Sequence, residues 1–175
     1  IEKINTSYDF FNNGEFDLSE EVINKVIIIN PISEQSLYLK GLIMLQKNNF
    51  EEAEFLFDKI IKLNSSNHFA FNQKGIIQIQ KNNYNDAIHF FDLVINIDPT
   101  WIDPYKLKSE CFIALNKFSE SIDVMVEIMN IFPDDIGNME RLCSLLYKQG
   151  LKDEALKIAQ IILNNDRSNK FAIKF

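Results

Sequence analysis

Residues 68–101 read HFAFNQKGIIQIQKNNYNDAIHFFDLVINIDPTW, and the stretch before them, 34–67, reads EQSLYLKGLIMLQKNNFEEAEFLFDKIIKLNSSN. Laid over each other, Gly41 falls on Gly75, Ala53 on Ala87 and Phe57 on Phe91, each pair 34 positions apart. The same step carries Pro99 onto Pro133. A fixed period of this length marks a stack of similar units, each completing its core against its neighbours. Working outward, the units cover residues 1–33, 34–67, 68–101, 102–135 and 136–169, and residues 170–175 open a further one.

Each unit is numbered 1 to 34 with Gly41 and Gly75 at position 8. Position 15 then holds Gly14, Asn48, Asn82, Asn116 and Gly150. Gly and Asn best tolerate the left-handed backbone that ends a helix, so a helix stops there in every unit. Position 18 holds Asp17, Glu51, Asn85, Ser119 and Asp153, and Glu52, Asp86, Glu120 and Glu154 follow at position 19. Four of the five residues at position 18 are good N-caps, and the acids complement the positive end of a helix, so a second helix is predicted to start there. Pro31, Pro99 and Pro133 at position 32 block its continuation. The unit is helix A, tight turn, helix B, turn.

Small residues recur at position 8 (Ser7, Gly41, Gly75, Ser109, Cys143) and at position 20 (Ser19, Ala53, Ala87, Ser121, Ala155). A Gly inside a helix costs about 1 kcal/mol against Ala, so its recurrence calls for a packing reason, namely that helix A touches its own helix B there. Val26-Ile27-Ile28-Ile29 has the composition of a strand, but the same slot elsewhere reads Ile60-Ile61-Lys62-Leu63, and the period makes it helix.

This pattern resembles the tetratricopeptide repeat, which has a small residue at position 8, an aromatic near 17, Ala at 20, an aromatic at 24 and Pro at 32. Gly75, Tyr84, Ala87, Phe91 and Pro99 match it fully, and the stretch from Tyr147 to Ala155 is also close. Departures are Ser19 and Ser121 at position 20, Lys152 at 17, and Met125 and Ala159 at 24. The resemblance covers essentially the whole chain. It implies an all-α fold: a right-handed superhelical solenoid of five helix-turn-helix repeats over residues 1–175, with the start of a further helix at 170–175.

The resemblance also implies a concave face lined by helix A, mainly at positions 2, 5, 9, 12 and 13. Carried over, the candidate peptide-binding groove comprises Tyr8, Phe11, Tyr38, Leu42, Leu45, Phe69, Asn72, Ile76, Ile79, Lys106, Glu110, Arg141 and Tyr147. The first three units offer an apolar, aromatic floor and the last two a mixed charge. The expected occupant is a peptide of a partner protein, most simply an amphipathic helix, oriented by the polar residues of the later units. Tyr8, Tyr38 and Phe69 are the expected anchors; Leu42, Leu45, Ile76 and Ile79 serve equally well as packing between neighbouring A helices. Some relatives grip the C-terminal carboxylate of chaperone tails with Lys at position 5, Asn at 9, Asn at 6 of the next unit, then Lys at 2 and Arg at 6. No three consecutive units here supply that set, only Arg141 fits, and such tails are expected to bind weakly or not at all.

The chain has 175 residues, 46% hydrophobic and 25% charged, with a formal net charge of −7, enough for a packed core and the wrong sign for a nucleic-acid surface. No apolar stretch is long enough to span a bilayer. Two cysteines, Cys111 and Cys143, make no disulfide framework and read as reduced and buried. With no secretory signal in Ile1-Glu2-Lys3-Ile4, a cytoplasmic location is expected. His68 and His89 read as solvated. The acidic pairs Glu51-Glu52, Asp134-Asp135 and Asp153-Glu154 read as helix-dipole partners, and Trp101 as inter-repeat packing. No phosphate loop, nucleophile elbow or metalloprotease motif occurs. The expectation is a non-enzymatic scaffold without cofactor or metal, its rivals a regulatory arm of a larger enzyme and a self-associating array. The chain opens inside a unit without Met and closes on Phe171-Ala-Ile-Lys-Phe175. That favours a segment of a longer protein, or self-association through array ends or groove.

Overall fold

All five residues at position 15 take positive φ: 81° at Gly14, 57° at Asn48, 61° at Asn82, 58° at Asn116 and 83° at Gly150. The chain has been described as a computed structural model covering residues 2–174; Ile1 and Phe175, the last of the apolar tail residues, lie outside the described residues. Among the described residues ten α-helices follow one another without a strand. They are α1 (Glu2–Asn12), α2 (Phe16–Ile29), α3 (Glu34–Gln46), α4 (Phe50–Leu63), α5 (His68–Gln80), α6 (Tyr84–Ile97), α7 (Ile102–Ala114), α8 (Phe118–Ile131), α9 (Ile136–Lys148) and α10 (Lys152–Asn165). A short 3-10 turn, Ala172–Lys174, stands where the tail was expected to begin a further helix. Val26 to Ile29 is helical, and Ile28 and Ile29 are exposed.

The stops are built as the left-handed residue demands. After α3 the Asn49 amide donates to the Met44 carbonyl at 2.9 Å, and the Asn48 amide to Leu45 at 3.0 Å. The same pair of bonds recurs after α1, α7 and α9, satisfying carbonyls the helix leaves open.

The starts differ from expectation. Helix B begins at the aromatic position, Phe16, Phe50, Tyr84 or Phe118, and its N-cap is position 16, not position 18. Of these caps Asn49 uses its side chain, accepting from the Glu52 amide at 3.2 Å while its own Nδ2 donates to the Glu52 carboxylate at 3.1 Å. Asp17, Glu51 and Asp153 sit inside the first turn, where their charge faces the helix dipole. The turn is too tight for any other register: a residue released from left-handed φ at position 15 has one residue left before helical φ resumes. Asp135 likewise is the N-cap of α9, accepting from the Asn138 amide at 3.1 Å, rather than a first-turn acid.

The chain divides into two compact units, Ile1–Lys81 and Asn82–Phe175. In the first, α1 packs on α2, α2 on α3, α3 on α4 and α4 on α5. Helix α3 has neighbours on several sides, and Leu37, Leu39, Ile43 and Met44 are buried on it. Ile23, Phe57, Ile60 and Ile77 complete this core, and each such side chain contributes about 1.5–3 kcal/mol on leaving water. In the second, α6 packs on α7, α7 on α8, α8 on α9 and α9 on α10. Its cores centre on Tyr105 and Ile128, and on Leu142, Ala155 and Ile162.

Helix A does meet its own helix B at positions 8 and 20. The Ser7 hydroxyl donates to the Ser19 carbonyl at 2.8 Å, and the Ser19 hydroxyl to the Ser7 carbonyl at 2.7 Å. Ser121 donates to the Ser109 carbonyl at 3.1 Å and the Cys143 thiol to the Ala155 carbonyl at 3.2 Å. The departures Ser19 and Ser121 from the family's Ala are thus small residues whose hydroxyls are satisfied across the contact. At Gly41 the reason for a missing side chain is different: a Cβ there would stand 2.7 Å from Cζ of Phe57.

Periodic ion pairs join neighbouring repeats. Lys74 pairs with Asp58, and 34 residues on Lys108 pairs with Asp92 at 2.6 Å. Lys47 reaches Glu20 and Asp17 at 2.6 Å each, and Lys81 reaches Glu54 at 2.7 Å.

Both cysteines are free and buried. Burial, with a smaller push from Glu110, raises the Cys111 thiol to about 11, and burial raises Cys143 as well. A thiol held up in this way gives little thiolate at neutral pH. Both should therefore react with a thiol-specific disulfide reagent only as fast as the chain unfolds, and a burst of labelling at pH 8 in native buffer contradicts this burial.

Candidate functional site

In the first unit the candidate residues lie on α1, α3 and α5, and all but Asn72 and Ile79 line two clefts. One, of about 370 Å3, is formed by Tyr8, Glu34, Gln35, Tyr38, Asn67 and Phe69. The other, of about 480 Å3, includes Phe11, Leu42, Leu45, Phe50, Gln73 and Ile76. The apolar residues are half-buried, so Leu42, Leu45 and Ile76 both pack against the core and present a side to the cleft. Phe69 is the most open, 51% exposed. Ile79 is half-buried and lines neither cleft. Asn72 is 5% exposed, and its Oδ1 accepts no hydrogen bond among the described residues; it belongs to the interior, not to a cleft wall.

The rings of the aromatic cleft are backed by contacts with their neighbours. The Tyr38 ring meets Phe57 edge-on with centroids 5.7 Å apart, and meets Phe69 edge-on at 6.3 Å. Gln73 Nε2 donates to the Tyr38 hydroxyl at 3.0 Å. The imidazole of His68 lies 4.2 Å from the Phe69 ring. Burial pushes the Tyr8 and Tyr38 phenols up, so both stay neutral at neutral pH. Glu34 opens α3, and its Oε2 accepts from Asn67 Nδ2 at 2.8 Å and Asn64 Nδ2 at 3.3 Å. Asn67 at the same time caps α5 by accepting from the Ala70 amide at 2.9 Å. Glu34 and Asn67 occupy positions 1 and 34 of the repeat, outside the five positions through which a concave face is read from sequence.

In the second unit the charged candidates are engaged in ion pairs. Lys106 Nζ lies 2.6 Å from Asp135 Oδ2, an ionic contact outside hydrogen-bond angles, and Arg141 donates to Glu110 at 2.8 Å. Burial works against the ionised Asp135, but Lys106 and the Asn138 amide outweigh it and hold the carboxyl below its ordinary value. The charges of Lys106, Glu110 and Arg141 are therefore taken up by neighbouring side chains. A cleft of about 500 Å3 opens beside them, floored by Ile113, Phe118, Met125, Leu145 and Phe171 and rimmed by Glu140, Arg141 and Lys148. An apolar floor thus exists in the later repeats too: Ile113, at position 12, and Leu145 come from helix A, and Phe118, Met125 and Phe171 add residues of helix B and of the tail that the positional reading does not reach. Tyr147 does not line that cleft; it is 51% exposed, with Lys152 Nζ 5.7 Å over its ring.

Among the described residues no group of three or more His, Cys, Asp or Glu side chains is placed to hold a metal. His89 is exposed on α6 and His68 opens α5. Trp101 is half-buried before α7, its indole N–H donating to Asp103 at 3.2 Å. No helix among the described residues is long and apolar enough to cross a membrane.

Residues 34–67 and 70–100 match the family model of the tetratricopeptide repeat. No curated protein matches the chain in sequence. Among solved structures, MamA from Desulfovibrio magneticus RS-1 is similar with a TM-score of 0.78 at 17% identity, over 96% of this chain and 95% of that one. YrrB, described as a tetratricopeptide protein with an unusual peptide-binding site, gives 0.72 at 13% identity, over 99% of this chain and 90% of its own. PilF of Pseudomonas aeruginosa gives 0.77 at 13% identity, over 98% and 78%. At such identities the likeness establishes the fold alone, an all-α array of helix-turn-helix repeats, and the family model identifies residues 34–67 and 70–100 as tetratricopeptide repeats.

Proposed function

We propose that this tetratricopeptide-repeat chain is a non-catalytic interaction scaffold that takes a peptide or helix of a partner protein against the helix-A face of its early repeats. Residues 1–175 are read as one array, with the second unit's cleft as a further contact surface. The observation that carries the reading is the pair of clefts on α1, α3 and α5, walled by half-buried apolar and aromatic residues that the chain leaves open. An apolar surface of this kind beside ordered polar groups is the usual form of a helix-in-groove site. The likeness to YrrB, whose description includes a peptide-binding site, supports it. Two reduced, buried thiols fit a reducing compartment such as the cytoplasm.

Selection of binders from a random peptide library on the full chain tests the proposal. Leu42→Asp places a charge on the cleft wall at a half-buried position, and should weaken selected peptides at least about tenfold while leaving the helical signal intact. Tyr38→Ala with Phe69→Ala should do the same. Peptides that bind both variants as they bind the parent chain would sink the groove reading.

A further inference from the structure

The aromatic cleft has a composition that the groove reading alone does not explain. Three rings, Tyr8, Tyr38 and Phe69, surround a space whose other lining includes one formally charged group, Glu34. No ion pair forms at Glu34 among the described residues; its Oε2 is held by two neutral amides, those of Asn64 and Asn67. An apolar side chain seated there would cover the carboxylate and take it from water without compensation, which is unfavourable. A cation gains twice over, from the carboxylate and from the negative faces of the rings. The space of about 370 Å3 is at the small end for ligand sites and suits a single long side chain. The formal net charge of −7 favours approach of a basic partner.

We propose that the pocket of Tyr8, Tyr38, Phe69 and Glu34 receives a lysine or arginine side chain of the bound peptide. This rests on the reading of the helix-A face as a peptide surface and adds what that surface selects. The hydrocarbon stem lies against the rings, and the charged head meets the Glu34 carboxylate, which Asn64 and Asn67 hold in place. Because Tyr38 is braced by Phe57 and Gln73, the pocket is in place before the ligand arrives.

The test is a titration of the full chain with Nα-acetyl-lysine-N-methylamide, the corresponding arginine compound and the neutral norleucine compound, followed through the Tyr and Phe ring resonances. The two cations should give saturable shifts at Tyr8, Tyr38 and Phe69, with norleucine at least about tenfold weaker. Glu34→Gln keeps an acceptor for the two asparagines and removes the charge; it should weaken the cations about tenfold while lowering the thermal midpoint by no more than about 4 °C, the worth of a first-turn acid. Phe69→Leu keeps apolar bulk at an exposed position and should cost about two- to fivefold. Norleucine binding as well as lysine, or an unchanged cation affinity in Glu34→Gln, overturns the assignment. So does a selected peptide that Leu42→Asp weakens but that lacks a basic residue and ignores Glu34→Gln; that result leaves the groove standing. Cation binding by a chain that selects no peptide supports the pocket and removes the groove reading.

Discussion

Phe57→Ala is expected to lower the unfolding free energy by about 3–5 kcal/mol, as truncation of a fully buried phenylalanine does. Phe57 is completely buried on α4. Its ring lies on the bare backbone of Gly41, and the Tyr38 ring stands edge-on to it at 5.7 Å. The vacated volume is bounded by two helices that the Asn48 turn holds together, which limits collapse into it. The loss should therefore also reach the aromatic cleft, since Tyr38 loses the ring that backs it. The partner position sharpens the test. Gly41→Ala gains about 1 kcal/mol of helix propensity but drives its Cβ against the Phe57 ring, an overpacking cost of about 1–3 kcal/mol. It should be destabilising in the parent chain and stabilising in a Phe57→Leu background. Urea unfolding of the four proteins gives this double-mutant cycle. A Gly41→Ala effect of the same sign in both backgrounds contradicts the assigned contact.

Gly150→Val is expected to cost about 2 kcal/mol, because Gly150 has φ of 83° and a β-branched residue is poorly suited to the left-handed region. A Cβ at Gly150 would meet no atom within 4 Å, so sterics with neighbours add nothing and the cost is the backbone's own. For a chain of this length that is a fall of about 4–8 °C in the thermal midpoint. Gly150→Asn should cost much less, since Asn48, Asn82 and Asn116 hold the equivalent position at φ of 57° to 61°. Valine and asparagine behaving alike at this site would mean that the left-handed turn does not decide where α9 ends.

Much of the fold was legible because the repeat reports each structural requirement several times. Left-handed φ is a local, single-residue demand, and Gly or Asn answers it at all five position-15 sites. The close approach of positions 8 and 20 is likewise local, and Ser7 with Ser19 shows its geometry directly. The start of helix B was misread by two residues. Acids at positions 18 and 19 suit both a cap and a first turn, and only the tightness of the turn separates the two. The candidate site was less legible. Tyr8, Tyr38 and Phe69 do meet at one cleft, as Phe11, Leu42, Leu45 and Ile76 do at another. Asn72 and Tyr147 do not line these clefts, and Lys106, Glu110 and Arg141 are occupied in pairs. A face assigned by position says which way a Cα–Cβ bond points, not whether a neighbouring repeat has already taken the side chain's charge.

By itself, the sequence determined the period, the helix stops, the order of helices and the small residues between paired helices. Each of these is a requirement of backbone conformation or close approach that one residue either meets or fails. Tertiary structure alone decided which side chains share a cavity. The Glu34 carboxylate and the rings of Tyr8, Tyr38 and Phe69 come together from three repeats, and the floor of Ile113, Phe118, Met125, Leu145 and Phe171 from two repeats and the tail. Their meeting depends on how successive helices are offset and on which charges have already found partners, a property of packing that no single repeat contains.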